Sequence, residues 1–273
     1  MKATGRDHGA KMHAMALSDF RIEPFSHNGI THDVYRQGDG PCVLVVSEIP
    51  GITPEVIRFA EEVLAAGLSV AMPSMFGEPG KAPSNGYALK SIVKSCVSSE
   101  FTAMATRDKA PATEWLRGLA RRMHDEHGGP GVGFVGMCFT GGFGLAMMLD
   151  DAVVAPVLSQ PSLPFGIGKK RKASVGLDDA QLTAVAERAA NGCAVLGLRF
   201  TGDPLVPDER FATLRDALGE NFIGVEITSP DPEHDIGKQA HSVLTEERRD
   251  TPGHPTKDAF DQVMAFLTGR LTR

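Results

Sequence analysis

Residues 132–142 read Val132-Gly133-Phe134-Val135-Gly136-Met137-Cys138-Phe139-Thr140-Gly141-Gly142. The apolar run from Val132 to Val135 predicts a buried strand, and an apolar helix is expected to follow as far as Leu149. Between them lies a glycine, any residue, a cysteine, any residue, a small residue and a glycine. That spacing fits a strand–turn–helix elbow, where a nucleophile sits at strained dihedrals and its neighbours two residues away must be small. A thiol placed at a helix N-terminus loses its proton more easily. The backbone amide of Phe139, the next residue, is then available to a developing oxyanion.

Outward from this stretch, strands and helices alternate. Cys42-Val43-Leu44-Val45-Val46 is continuously apolar and β-branched, as a strand buried on both faces requires. Two short strands should precede it, turned at His27-Asn28-Gly29. Thr53-Pro54 opens a helix that Gly67 ends. Strands are expected at Ser69 to Met72, Val153 to Leu158, Ala194 to Phe200 and Phe222 to Thr228. Further helices are expected near Thr113 to Met123, Leu177 to Ala190, Asp208 to Leu218 and Asp258 to Leu267. This order implies α/β architecture: a mostly parallel sheet of about eight strands, helices on both faces and an antiparallel edge. No linker divides residues 20–273, so one domain is expected after a flexible leader, residues 1–19. The segment 78–99 gives no clear pattern.

The composition narrows the function. The 273 residues carry 28 basic against 34 acidic side chains, a net charge of −6, which offers no footprint for a phosphate backbone. Lys169-Lys170-Arg171-Lys172 is expected to be a solvated loop. No apolar run reaches the length of a membrane span, and the first residues lack the apolar core of a secretory signal. Four cysteines without paired spacing fit a reducing cytoplasm. Cys42 and Cys193, at strand starts, read as core residues, and Cys96 receives no role. The sequence does not set the oligomeric state.

A thiol nucleophile needs a base, and the base needs an orienting acid. Ligands of such sheets sit at the carboxyl ends of the strands. Asp203, in Gly202-Asp203-Pro204, lies just past one of those ends. Three histidines, His234, His241 and His254, follow the last strand. His241, among Ala240, Ser242 and Val243, best suits an imidazole brought inward, and His234 is its rival.

Together these residues resemble the dienelactone hydrolases, within the α/β-hydrolase fold, over nearly the whole chain. The matching stretches are Val46-Ser47-Glu48-Ile49 with Gly51, the cysteine elbow, Gly202-Asp203-Pro204-Leu205-Val206-Pro207, and Ala240-His241-Ser242. The resemblance implies a Cys138–His241–Asp203 triad that cleaves a small-molecule ester or lactone through an acyl-thioester. It also implies an oxyanion hole from the amides of Ile49 and Phe139, with Glu48 paired to the resting thiol and displaced by substrate. It implies no cofactor. Thr245 stands where the family has an arginine for a substrate carboxylate. Arg248 and Arg249, farther along, are candidates to substitute for it but read first as exposed charges, and Thr140 replaces a usual glycine.

Four other functions are weighed against this. A cysteine amidotransferase would need a His-x-Glu pair downstream of the cysteine, but His124-Asp125-Glu126 lies upstream. A nicotinamide enzyme would need a glycine-rich fingerprint, which residues 48–53 lack. A metal site at His124 and His127 lacks a third ligand. A catalytically idle binder of a small molecule or protein is the alternative from another class.

Overall fold

The computed structural model describes residues 15–83, 111–166 and 168–272. Eight strands form one sheet: β1 (Arg21–His27), β2 (Ile30–Gln37), β3 (Cys42–Val46), β4 (Ser69–Pro73), β5 (Val132–Met137), β6 (Val153–Ser159), β7 (Val195–Phe200) and β8 (Phe222–Ile227). Their spatial order is β1-β2-β4-β3-β5-β6-β7-β8. The pairs β1/β2 and β2/β4 are antiparallel, and every pair from β4/β3 to β7/β8 is parallel. The β1/β2 hairpin turns on Asn28 and Gly29, both at positive φ (49° and 79°), the pair of dihedrals that an Asn-Gly turn accommodates.

Alternate residues of β3 serve opposite faces. Val43 and Val45 pack with α1 (Pro54–Ala65) and α7 (Pro255–Leu271), while Cys42, Leu44 and Val46 pack with α2 (Pro111–His127). Two more helices, α5 (Asp179–Ala190) and α6 (Asp208–Leu218), cover the β6/β7 end of that second face through Val185, Phe211 and Leu214. Every residue of β3, β4, β5 and β7 is buried. The largely apolar strand sequences follow from this double coverage, with Ser69 and Arg199 as buried polar exceptions. Among the described residues, no helix is long and apolar enough to cross a membrane.

Two local expectations need correction. The helix after the elbow does not run unbroken to Leu149. A 3-10 turn at Thr140–Phe143 leads into α3, only Gly144–Met147. Gly141, Gly142 and Gly144 are weak helix formers, and a Cβ on Gly141 would meet the carbonyl oxygen of Ser159 at 2.7 Å. So short an element has little macrodipole to offer Cys138. The basic run is also not a loop: Lys169–Ala173 forms the short helix α4, with Lys169 to Lys172 exposed. Cys42 and Cys193 are buried free thiols, as expected, and Cys96 and most of 78–99 lie outside the described residues.

Candidate active site

Five parallel strands end at one place. Ser47 to Ile49 follow β3, Cys138 follows β5, Gln160 to Ser162 follow β6, Asp203 follows β7, and His241 lies in the long connection after β8. The β3/β5 register pairs Val46 with Gly136, which sets Glu48 beside the elbow.

Cys138 has φ 53°, the left-handed conformation that a tight elbow imposes on a non-glycine residue. Its N–H donates to the Ser159 carbonyl at 3.0 Å, and its carbonyl accepts from Gly141 N at 3.1 Å and Ser162 N at 3.0 Å. Gly136 must be glycine, because a Cβ there would lie 2.4 Å from the Thr140 carbonyl oxygen. Thr140 itself is buried. Its hydroxyl accepts from Met137 N at 2.9 Å and lies 2.7 Å from the Val46 carbonyl, to which it donates. The threonine thus ties the elbow to the end of β3, which a glycine could not do.

The thiol is half-buried, and its Sγ lies 3.4 Å from Ser162 Oγ. Phe139 packs edge-on against Phe76 and Phe143, both at 5.9 Å between ring centroids. Ile49 and Cys138 rest against this same apolar cluster. The side chains of Ile49, Cys138 and Phe139 thus belong to one apolar cluster.

His241 Nδ1 lies 2.6 Å from Asp203 Oδ2. Asp203 is 4% exposed, and its other oxygen accepts from Leu205 N at 2.9 Å. The remaining nitrogen, His241 Nε2, is buried and completes no hydrogen bond. It faces the nearby Cys138 sulfur, which acts on it both as a hydrogen-bonding group and as a charge. Burial acts to lower the pKa of this imidazole, but Asp203 and Cys138 together outweigh burial and push it up to about 11.

A group with a raised folded-state pKa stabilises the fold while it is protonated. The contribution of His241 is fully present below about pH 6.5, declines above it and is lost as pH passes about 11. The difference in melting temperature between wild type and His241→Gln should therefore narrow as pH rises from 6 to 9.5. A difference that widened would mean that the imidazole is held neutral in the folded protein.

The rival histidines are placed elsewhere. His234 Nδ1 bonds Asp231 at 2.6 Å, and His254 bonds the His234 carbonyl through Nε2 while capping α7. His127 bonds Ser69, the Gly40 carbonyl and Arg36, and His124 bonds the Gly129 carbonyl.

Glu48 is 6% exposed and accepts three hydrogen bonds: from Ser242 Oγ at 2.7 Å, from Gln160 Nε2 at 3.2 Å and from Thr245 Oγ1. One atom each from Glu48, Cys138 and His241 lie within 4.8 Å of one another. Thr245, noted in the sequence for the arginine it replaces, is thus a buried donor to this carboxylate. Arg248 is likewise not an exposed charge. It is buried, bridges Glu62 and Asp250, and stacks 3.7 Å over the Phe260 ring.

Sequence reasoning missed Gln160, Ser162 and Arg210. Gln160 is fully buried at φ 34° and also accepts from Val243 N at 3.4 Å, which links Glu48 to the histidine loop. Arg210 donates to the carbonyls of Pro161, Pro164 and Ser174, pinning the loop that carries Ser162. Burial among carbonyls pushes its guanidinium down to about 10. The one signal available was the Gln160-Pro161-Ser162 turn directly after a strand end.

No family model and no curated protein matches the chain. Solved structures do. A candidate dienelactone hydrolase from Klebsiella pneumoniae subsp. pneumoniae superposes with a TM-score of 0.60 at 18% identity, over 91% of this chain and 98% of that one. A dienelactone hydrolase-like promiscuous phosphotriesterase from metagenomic libraries gives 0.57 at 16% identity, over 92% and 98%. A cold-adapted esterase from an Arctic intertidal metagenomic library gives 0.54 at 14% identity, over 90% and 93%. The fold of this chain is therefore the α/β-hydrolase fold of these dienelactone hydrolase-like structures.

Proposed function

We propose that the protein is a hydrolase of small esters or lactones that uses Cys138 as nucleophile, His241 as general base and acid, and Asp203 as the group that orients His241. The observation that carries this reading is the Asp203–His241 hydrogen bond, which leaves Nε2 buried, unpaired and beside a thiol held in a strained elbow. The dienelactone hydrolase-like and esterase names of the structural neighbours support the same class of chemistry.

In this mechanism Sγ attacks the substrate carbonyl carbon as a thiolate, its proton having passed to His241 Nε2. The carbonyl oxygen becomes an oxyanion that the amides of Ile49 and Phe139 receive. Collapse breaks the bond to the leaving oxygen, which takes the proton from Nε2, and an acyl-thioester remains on Cys138. Water, deprotonated by Nε2, then attacks the thioester, releases the acid and restores the thiol. Asp203 holds the Nδ1 proton throughout.

The test is to mix the enzyme with p-nitrophenyl acetate, quench in acid within the first turnover and digest. An added acetyl mass on the peptide that contains Cys138 is expected. An acetyl found only on another residue would overturn the assignment of the nucleophile.

Glu48 has its own measurable share in this reading. Its carboxylate is close enough to the thiol to influence it, and Ser242, Thr245 and Gln160 fix where that charge sits. Glu48→Gln should lower ester turnover by more than tenfold, about 1.4 kcal/mol of barrier, and should change the rate at which iodoacetamide alkylates Cys138. Equal rates for both proteins in both assays would make Glu48 a rim residue.

A further inference from the structure

Glu48, Cys138 and His241 come from three different strand ends, yet one donor atom of each lies within 4.8 Å of the others. Their chemistry is thiolate sulfur, imidazole nitrogen and carboxylate oxygen, a set suited to zinc. Each already has the outer support that a metal ligand needs. Asp203 fixes the His241 ring through Nδ1, so that Nε2 is the nitrogen left to coordinate. Ser242, Thr245 and Gln160 orient the Glu48 carboxylate, and Ser162 Oγ lies 3.4 Å from Sγ. A carboxylate–histidine–metal arrangement with hydrogen-bonded acidic ligands is how zinc sites are held rigid.

We propose that this cluster binds one Zn²⁺ ion through Cys138 Sγ, His241 Nε2 and Glu48, and that the bound ion switches the hydrolase off. The regulatory half rests on the hydrolase reading above, whereas the binding half does not. Ligand atoms of a tetrahedral zinc site stand about 3.3–3.8 Å apart, as follows from metal–ligand lengths of about 2.0–2.3 Å. Cys138 and His241 are only partly buried, so small rotations of their side chains close the remaining gap. The fourth position is left to water. Cysteine coordinates as thiolate and histidine as neutral imidazole, so any proton the pair shares leaves to solvent when the ion binds. Coordination occupies both the electron pair that Sγ would use in attack and the nitrogen that would take up a proton, and turnover stops. Glu48 thereby gains a role distinct from its effect on the thiol in the absence of metal.

The experiment is calorimetric titration of the full chain with zinc chloride, in parallel with cobalt(II) titration followed by absorbance. One ion per chain is expected with a dissociation constant in the micromolar range or tighter, along with a near-ultraviolet thiolate-to-cobalt band. Cys138→Ser keeps the size of the side chain but supplies no thiolate. It should abolish the band and weaken zinc binding at least about a hundredfold. Glu48→Gln should retain the band and weaken zinc binding about tenfold or more. Ester turnover by wild type should fall along the same titration and return on addition of EDTA.

Absence of the band at a hundred micromolar cobalt, or zinc binding unchanged in Cys138→Ser, would overturn the site. Turnover that rises with zinc, or stays constant when the site is filled, would overturn the switch. A chain that binds zinc through Cys138 yet hydrolyses no ester with the site empty would count against the hydrolase reading while supporting the metal site. A chain that turns over esters through Cys138 but shows no band would do the reverse.

Discussion

Cys138→Ala is expected to lower turnover of p-nitrophenyl acetate at least about a thousandfold, near 4 kcal/mol of barrier, while leaving the protein folded. The side chain is half-buried, and alanine meets the same backbone requirement at φ 53° as cysteine does. The elbow is held by main-chain bonds to Ser159, Gly141 and Ser162, none of which uses the thiol. Melting temperature should therefore move by only a few degrees. Activity has no such reserve, because no other cysteine among the described residues is accessible: Cys42 and Cys193 are buried. Groups that act as a unit lose most of their effect with the first removal, so adding His241→Ala to Cys138→Ala should cost little more. A Cys138→Ala protein within about threefold of wild type would end the case for a thiol nucleophile, whatever the elbow looks like.

The sequence was most informative where a short stretch alone determines its structure. Asn28-Gly29 dictates a turn, Thr53-Pro54 opens a helix, and uniformly apolar β3 can only lie between two covered faces. Cys138 and Asp203 stood out for the same reason, since each sits in a local pattern just beyond a strand end, whereas His241, in the long connection after β8, was singled out from His234 and His254 only by its small and apolar neighbours. The partners of Glu48 were not. Ser242 and Thr245 reach it across 194 and 197 residues of chain, and Gln160 across 112. Contacts at that range depend on how the loops pack over the sheet, and nothing in the neighbourhood of Thr245 announces it. Arg248 was misjudged for a related reason. A lone arginine in a charged stretch reads as exposed until α7 supplies the Phe260 ring and α1 supplies Glu62. The helix beyond the elbow was misjudged because apolar periodicity outweighed three glycines, whose backbone cost leaves a 3-10 turn at Thr140–Phe143 where helix was expected.

Asp203→Asn tests the base rather than the nucleophile, and its predicted effect is of similar size. Asp203 Oδ1 accepts from Leu205 N, and Oδ2 faces His241 Nδ1 at 2.6 Å. In the asparagine variant the carbonyl oxygen must keep the Leu205 N–H, which turns the amide NH₂ toward Nδ1. An NH₂ can only donate, so Nδ1 must accept and the ring proton moves to Nε2. Nε2 then cannot take a proton from the thiol, and the imidazolium that forms during attack has lost its anionic partner. Turnover should fall about a thousandfold or more with the fold intact. The pKa of the imidazole, pushed up to about 11 in wild type, should drop, a change that ring proton resonances followed through a pH titration would report. The pair His234 and Asp231 supplies the control. It has the same 2.6 Å bond, but its partner is the cap of α7 rather than a thiol. Asp231→Asn should leave turnover within about twofold of wild type. If Asp231→Asn were the damaging change and Asp203→Asn the silent one, the histidine that serves Cys138 would have to be His234, and the site would need rebuilding around it.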